Sequence, residues 1–236
     1  MGSKINQTRR QRLEAREDAI IAAAHKEFVK HGFEGTKMTE IAGRAGVAEG
    51  TIYLYFKNKN ALLGAVVGAF YARLTEGAAA GVMDCASTID RLSFLARHHL
   101  KSCLDEWSIL ALAVPAFYRV HEYRESEFFE FNRSYVAVFD HLIREGISRG
   151  DLRDDLPLHL IRDLFFGTLE HATRTHMVRN QDPDDEQVIF EVAGQVMAMI
   201  QPAICLGQGK TPAGKDPDLE DLARRLEVVT VRLENT

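Results

Sequence analysis

Along this 236-residue chain, apolar side chains return every three or four positions and nowhere alternate with polar ones for the length of a strand. A spacing near 3.6 is the helical period and a spacing of two the strand period, so the pattern restricts the chain to an all-α fold. The runs are clearly punctuated. Ala19, Ala22, Ala23, Phe28 and Val29 lay out a first helix ended near Gly32, and Met38, Ile41, Ala42 and Ala45 a second ended at Gly46. A third, short helix runs from about Ala48 to Tyr55. Asn58 is suited to cap a long fourth helix reaching about Ala80, with Leu62, Leu63, Val66, Val67, Phe70 and Leu74 on its inner face. Further helices are expected at about 88–105, 107–120, 124–149, 157–179 and 184–204, separated by breaks such as Gly150-Asp151 and Asp182-Pro183.

The residues group into four parts: a basic N-terminal arm (1–14), a three-helix head (15–60), a helical body (61–205) and a tail (206–236). The tail opens with the linker GQGKTPAGKDP, followed by Leu219, Leu222, Leu226, Val229 and Leu233 at heptad spacing. Two heptads are too few to specify a coiled coil, so this amphipathic helix either docks on the body or pairs with its copy. No run of eighteen uncharged apolar residues occurs, and the N-terminus lacks the apolar centre of a secretory signal. Cys85, Cys103 and Cys205 stand far apart, as expected of reduced thiols in a cytoplasmic protein with no membrane partner.

Net charge is −5, but it is unevenly spread. Residues 1–60 carry 11 Lys and Arg against 7 Asp and Glu, a balance of +4, whereas the remainder carries −9. A basic head on an acidic body points to a polyanion that meets the head alone. The stretch GVAEGTIYLYFKNK (46–59) says how. Residues 37–56 form helix, glycine turn, helix, with the small Ala42 and Gly46 allowing a close crossing and Val47 and Ile52 filling the angle. That is the layout of a helix-turn-helix, whose second helix enters the major groove of double-stranded DNA. Ile52 and Phe56 share the inward face, while Tyr53 and Tyr55 are expected to face outward and donate to phosphates, with Lys57 and Lys59 extending that surface. Arg9, Arg10 and Arg12, expected to precede the first helix, could reach a minor groove or flanking phosphates.

These residues carry a resemblance. GVAEGTIYLYFKNKNALL, preceded by HGFEGTKMTEIAGRA, resembles the DNA-binding domain of the TetR family of bacterial repressors over about residues 15–75. The resemblance implies DNA contacts at Thr39, Glu49, Gly50, Thr51, Tyr53, Tyr55 and Lys59. Lys37 and Ala48 depart from the Ser or Thr common at the helix caps; Thr36 is expected to cap in place of the first, and Lys37 to gain a phosphate contact. Glu49 stands where a basic or amide residue is common, and a carboxylate there would shape specificity rather than affinity.

The family resemblance further implies a C-terminal ligand-binding and dimerisation domain, pairing into a homodimer through its last two helices, 157–179 and 184–204. Gly167, Ala172, Ala193 and Gly194 offer close approach there, and Phe165, Leu169, Val192, Val196, Met199 and Ile200 apolar area, about half of it shared with the core. Residues 141–178 are similar to the branch that controls fatty-acid degradation, which implies a long-chain acyl-CoA effector and a transcriptional repressor that releases a palindromic operator. Candidate pocket residues are Phe94, Trp107, Phe117, Tyr118, Phe131, Tyr135, Phe166, Glu170 and Arg174, and Arg91, Arg97, Lys101, Arg119, Arg124 and Arg133 are further cations for phosphates. A multidrug-type repressor is the alternative effector class.

Other chemistry finds little footing. GKT at 209–211 lacks the first glycine of a P-loop and is followed by Pro212. His98-His99, His121, His171 and His176 have no metal-ligand spacing, and no catalytic triad or cofactor motif is signalled. The chain is therefore expected not to be an enzyme. A small helical enzyme, or an adaptor binding another protein through its tail, stands as the alternative from a different class.

Overall fold

The computed structural model describes residues 2–117, 126–179 and 186–206, with side chains over 10–113, 126–179 and 187–206. The tail, and parts of the predicted helices near 118–125 and 180–185, lie outside the described residues. Among the described residues all regular elements are helices, and the one bridge is the isolated pairing of Leu152 with Cys205. The order is α1 (Gly2–Gly35), α2 (Met38–Ala45), α3 (Glu49–Tyr55), α4 (Lys59–Met83), α5 (Thr88–Asp105), α6 (Trp107–Phe117), α7 (Glu127–Arg149), α8 (Leu158–Arg179) and α9 (Glu186–Ile204).

Local chemistry sets the boundaries. Gly32 breaks α1 with φ 69° and ψ 178°, a conformation only glycine adopts freely, so the last turn of α1 leaves at an angle. Gly46 closes α2 in the left-handed region, and its N–H and that of Val47 return to the carbonyls of Gly43 and Ala42. Asn58 accepts from the Ala61 N–H at 2.8 Å, the cap expected for α4. Ser87 and Ser126 cap α5 and α7 in the same way.

Two apolar clusters organise the packing. The first joins Ile20, Ala23, Ala24 and Phe28 of α1, Ile41 and Ala42 of α2, Ile52 and Phe56 around α3, Leu62, Leu63, Val66 and Val67 of α4, and Ile109 and Ala113 of α6. The second begins at Phe70 and takes in α5, α7, α8 and α9. The change of core falls within α4, between Val67 and Phe70.

Three expectations need correction. Ala19, Ala22 and Val29 are exposed, and the inward stripe of α1 is Ile20, Ala23, Ala24 and Phe28. Helix α1 starts at Gly2, so Arg9, Arg10 and Arg12 lie within it rather than before it. Residues 10–19 of that helix are all exposed, and Arg10 pairs with Glu14 at 2.7 Å, one turn on. Thr36, finally, bonds back onto α1, donating to the carbonyls of Gly32 (2.6 Å) and Glu27 (3.1 Å), and does not cap α2. Glu40 serves α2 instead, accepting from the Lys37 N–H at 3.3 Å.

Among the described residues one helical stretch, Gln187–Ile204, is long and apolar enough by composition to cross a bilayer, with mean hydropathy 1.2. Its Ile189, Ala193, Val196, Met197, Ile200 and Ile204 are buried in the second cluster, a third of that stretch, while Phe190 and Met199 are exposed.

Candidate functional site

The head presents α3 with one face anchored and the opposite face bare. Ile52 is fully buried, and Phe56 closes the helix by donating its N–H to the Ile52 carbonyl. Gly50, Tyr53 and Leu54 are exposed, as are Lys37 and Thr39 at the start of α2 and Lys57 after α3. Glu49 and Thr51 are half-buried. Tyr55, expected outward, is half-buried too, its ring 6.4 Å from that of Phe56 and packed against the first cluster. Beneath this surface, buried Glu27 of α1 is paired with Arg44 of α2 and lies 3.4 Å from His31. The Arg44 guanidinium holds the Glu27 carboxyl below its ordinary range, which fixes α2 against α1.

Lys59 departs from the expected role. Its ammonium donates to the carbonyls of Phe33 (2.6 Å), Thr36 (3.1 Å) and, at the limit, Glu34 (3.5 Å), and sits 4.5 Å from the centre of the Phe33 ring. Its three N–H bonds are thus directed at the C-terminal end of α1, where helix carbonyls are unpaired and the dipole is negative. Lys59 clamps the start of α4 to the end of α1 in this arrangement.

The body holds a cavity of about 930 Å³, partly open to solvent, between α4, α5, α6, α7 and α8. Of the predicted pocket residues, Trp107, Tyr135, Phe166, Glu170 and Arg174 line it. Phe94 and Phe131 do not. The Phe94 ring stacks on His98 at 5.6 Å and occupies the space beside Gly81, and the Phe131 ring fills the space beside Gly68 and stacks on Tyr71 at 6.4 Å. Tyr118 and the Phe117 side chain lie outside the described residues. Sequence reasoning missed the α4 wall of Phe70, Tyr71 and Leu74, and the polar pair His99 and Cys103 on α5.

At the buried end, His99 lies 3.2 Å from the Tyr135 hydroxyl through Nδ1 and 3.7 Å from the Cys103 Sγ through Nε2. Burial, aided by His98, lowers the His99 pKa to about 4, so the ring is neutral at pH 7. Burial likewise raises the Cys103 thiol, the Tyr135 phenol and the Glu170 carboxyl. Burial therefore disfavours charge on every one of these groups at the cavity floor. Arg174 supplies a cation that has no ion-pair partner among the described residues, whereas Arg162 is held bidentately by Asp140 at 3.0 and 2.7 Å. Of the other cations considered for phosphates, Arg91 and Lys101 are committed to Glu145 and Asp105, and Arg97 lies over the Phe190 ring. Among the described residues no cluster of three metal-ligating side chains occurs.

Helix α6 connects cavity and head. Trp107, Leu110 and Ala111 face the cavity, while Ile109 and Ala113 are buried in the first cluster. Just before α6, Glu106 accepts from His25 of α1 at 2.5 Å and from Arg73 of α4 at 2.8 Å. Burial pushes the Glu106 carboxyl up, but the His25 hydrogen bond and the charges of His25 and Arg73 outweigh it and hold the pKa low.

Comparison with known proteins decides what this arrangement is. Residues 20–66 match the model of bacterial regulatory proteins of the tetR family, and residues 71–200 that of the C-terminal region of YsiA-like protein. The chain belongs to the TetR family. The fatty acid metabolism regulator protein of Bacillus subtilis is 27% identical over 169 residues, covering 70% of this chain and 85% of that protein. The structure of the Bacillus subtilis transcriptional regulator FadR in complex with stearoyl-CoA superposes with TM-score 0.65 at 26% identity, covering 77% of this chain and 96% of that one. The fatty acid degradation regulator FadR of Bacillus halodurans gives 0.65 at 25%, covering 78% and 94%. As a TetR-type transcriptional repressor the protein is not an enzyme. Regulators of this family bind DNA operators and small-molecule effectors and act as dimers.

Proposed function

We propose that this TetR-family repressor controls fatty-acid metabolism genes from the cytoplasm and leaves its operator on binding a long-chain acyl-CoA. The observation that carries the reading is the cavity. At about 930 Å³ it lies near the upper end of small-molecule sites, its walls combine Phe70, Tyr71, Leu74, Trp107, Leu110 and Phe166 with polar side chains such as Asn132 and Thr173, and Arg174 offers a cation for a phosphate. A floor where burial disfavours charge suits an acyl chain and a neutral thioester. The likeness to FadR in complex with stearoyl-CoA supports the same ligand class.

In this reading Lys37, Thr39, Glu49, Gly50, Thr51, Tyr53, Tyr55 and Lys57 form the DNA surface. Two subunits pair through α8 and α9 of their bodies, where Leu164, Val178, Phe190 and Met199 are exposed and Gly167 and Gly194 face open space. Phe165, Leu169, Ala193, Val196 and Ile200 serve the core of each subunit and lie outside that interface. Release requires that ligand bind the DNA-free form better than the DNA-bound one. Helices α4 and α6 carry the difference, since each has one face on the cavity and another in the head cluster.

Titration of a protein–operator complex with butyryl-, lauroyl- and palmitoyl-CoA and with free CoA tests this. Release should strengthen with chain length, by about 0.8 kcal/mol per buried methylene until the cavity is full, and free CoA should be inert. Indifference to all four compounds removes the acyl-CoA reading and leaves the repressor intact.

A further inference from the structure

On α3, side chains lying two positions from Ile52 point about 160° away from it, at 100° per residue. Ile52 is fully buried, so Gly50 and Leu54 form the outermost ridge of the helix. Gly50 has open space where a Cβ would stand, and Leu54, one turn on, is 84% exposed, the highest value among the large apolar residues described. Tyr53 and Thr51 flank this ridge on either side and can donate hydrogen bonds, but the ridge itself has no polar side chain. Bare backbone at Gly50 lets the helix approach the groove floor, which brings Leu54 down to the base edges. An isobutyl group there can satisfy none of the hydrogen-bonding atoms of the bases. The one apolar group a base pair shows in the major groove is the C5 methyl of thymine.

We propose that Leu54 is a specificity-determining residue that reads a thymine methyl in each operator half-site. The inference rests on α3 being the recognition helix and concerns which base edge its outer ridge meets. Operator is first obtained by selecting random duplexes with the full-length protein. Each thymine of the half-site is then replaced by deoxyuridine, which removes only the methyl, and dissociation constants are measured by fluorescence anisotropy for wild type, Leu54→Ala and Leu54→Met. Wild type should lose about fourfold at one thymine or two adjacent ones, the factor that burial of one methyl group carries. Leu54→Ala should be insensitive at those positions alone, and Leu54→Met, which keeps the apolar reach, should stay sensitive. Leu54 touches no core, so thermal melts of both variants should match wild type. If Leu54→Ala keeps the wild-type uracil profile, or no thymine methyl matters, the proposal is overturned while DNA binding stands. Selection that enriches no sequence overturns the recognition-helix reading and this proposal together.

Discussion

Replacing Lys59 by methionine keeps the aliphatic stem and removes only the ammonium, which separates two roles for this residue. In the structure the ammonium meets the carbonyls of Phe33 and Thr36 at 2.6 and 3.1 Å, a third at 3.5 Å, and the face of the Phe33 ring at 4.5 Å. Hydrogen bonds to a charged group contribute about 1.5–3 kcal/mol, and a cation over an exposed ring about 0.5–1 kcal/mol. Lys59 is half-buried, so solvent screens part of this, and a net loss of about 2 kcal/mol is expected. For a chain of this size that corresponds to a fall of about 4–8 °C in melting temperature. A lysine bound to one phosphate would instead reduce the slope of log affinity against log salt by about 0.9 and leave the free protein as stable as before. Calorimetry of the free protein and operator titrations at three salt concentrations read both quantities. An unchanged melting temperature with a slope lowered by about one would refute the clamp.

Acid should destabilise the protein through His99. Its folded pKa of about 4 lies below the ordinary 6.5, so the unfolded chain takes up the proton first; stability is full above pH 6.5 and is lost as pH falls towards 4. Between pH 7 and 5 the loss should be roughly 2 kcal/mol, at about 1.4 kcal/mol per pH unit, and His99→Gln should melt with a visibly flatter pH dependence over that range. Glu106→Gln should leave acyl-CoA affinity of the DNA-free protein within about twofold yet cut the ligand-induced change in operator affinity by roughly fivefold, about 1 kcal/mol of coupling. Anisotropy titrations with and without palmitoyl-CoA measure the ratio, and an unaltered ratio removes Glu106 from the route between cavity and head.

What could be read from the sequence was what depends on near neighbours. The glycine at 46, the cap at Asn58 and the Ile52–Phe56 pair all act within one or two turns, so spacing alone located α2, α3 and the start of α4. The register of α1 was less legible, because IIAAAHKEF has apolar groups on most of its faces and only packing against α2, α4 and α6 selects Ile20, Ala23 and Ala24. The clamp made by Lys59 was not legible because its carbonyl partners lie 23 to 26 residues earlier in the chain. The cavity suffered most. Aromatic residues at helical spacing face either a void or a neighbour, and Phe94 and Phe131 were claimed by the bare surfaces at Gly81 and Gly68 on α4, which nothing in their own surroundings signals.

The presence of Ile109 and Ala113 in the first apolar cluster has a bearing on how such proteins can be recombined. A head cut off after α4 would carry an open apolar seat where α6 belongs, and the His25 side of the Glu106 bridge would face water alone. The DNA-reading portion is thus discontinuous along the chain, completed by a segment some forty residues downstream of Val67. A chimera that moves this head onto a relative's body must match the recipient's α6 at both positions. Mismatched side chains there would leave a hole or a clash in the first cluster, and sequence exchange at the obvious helix boundary would fail for a steric reason.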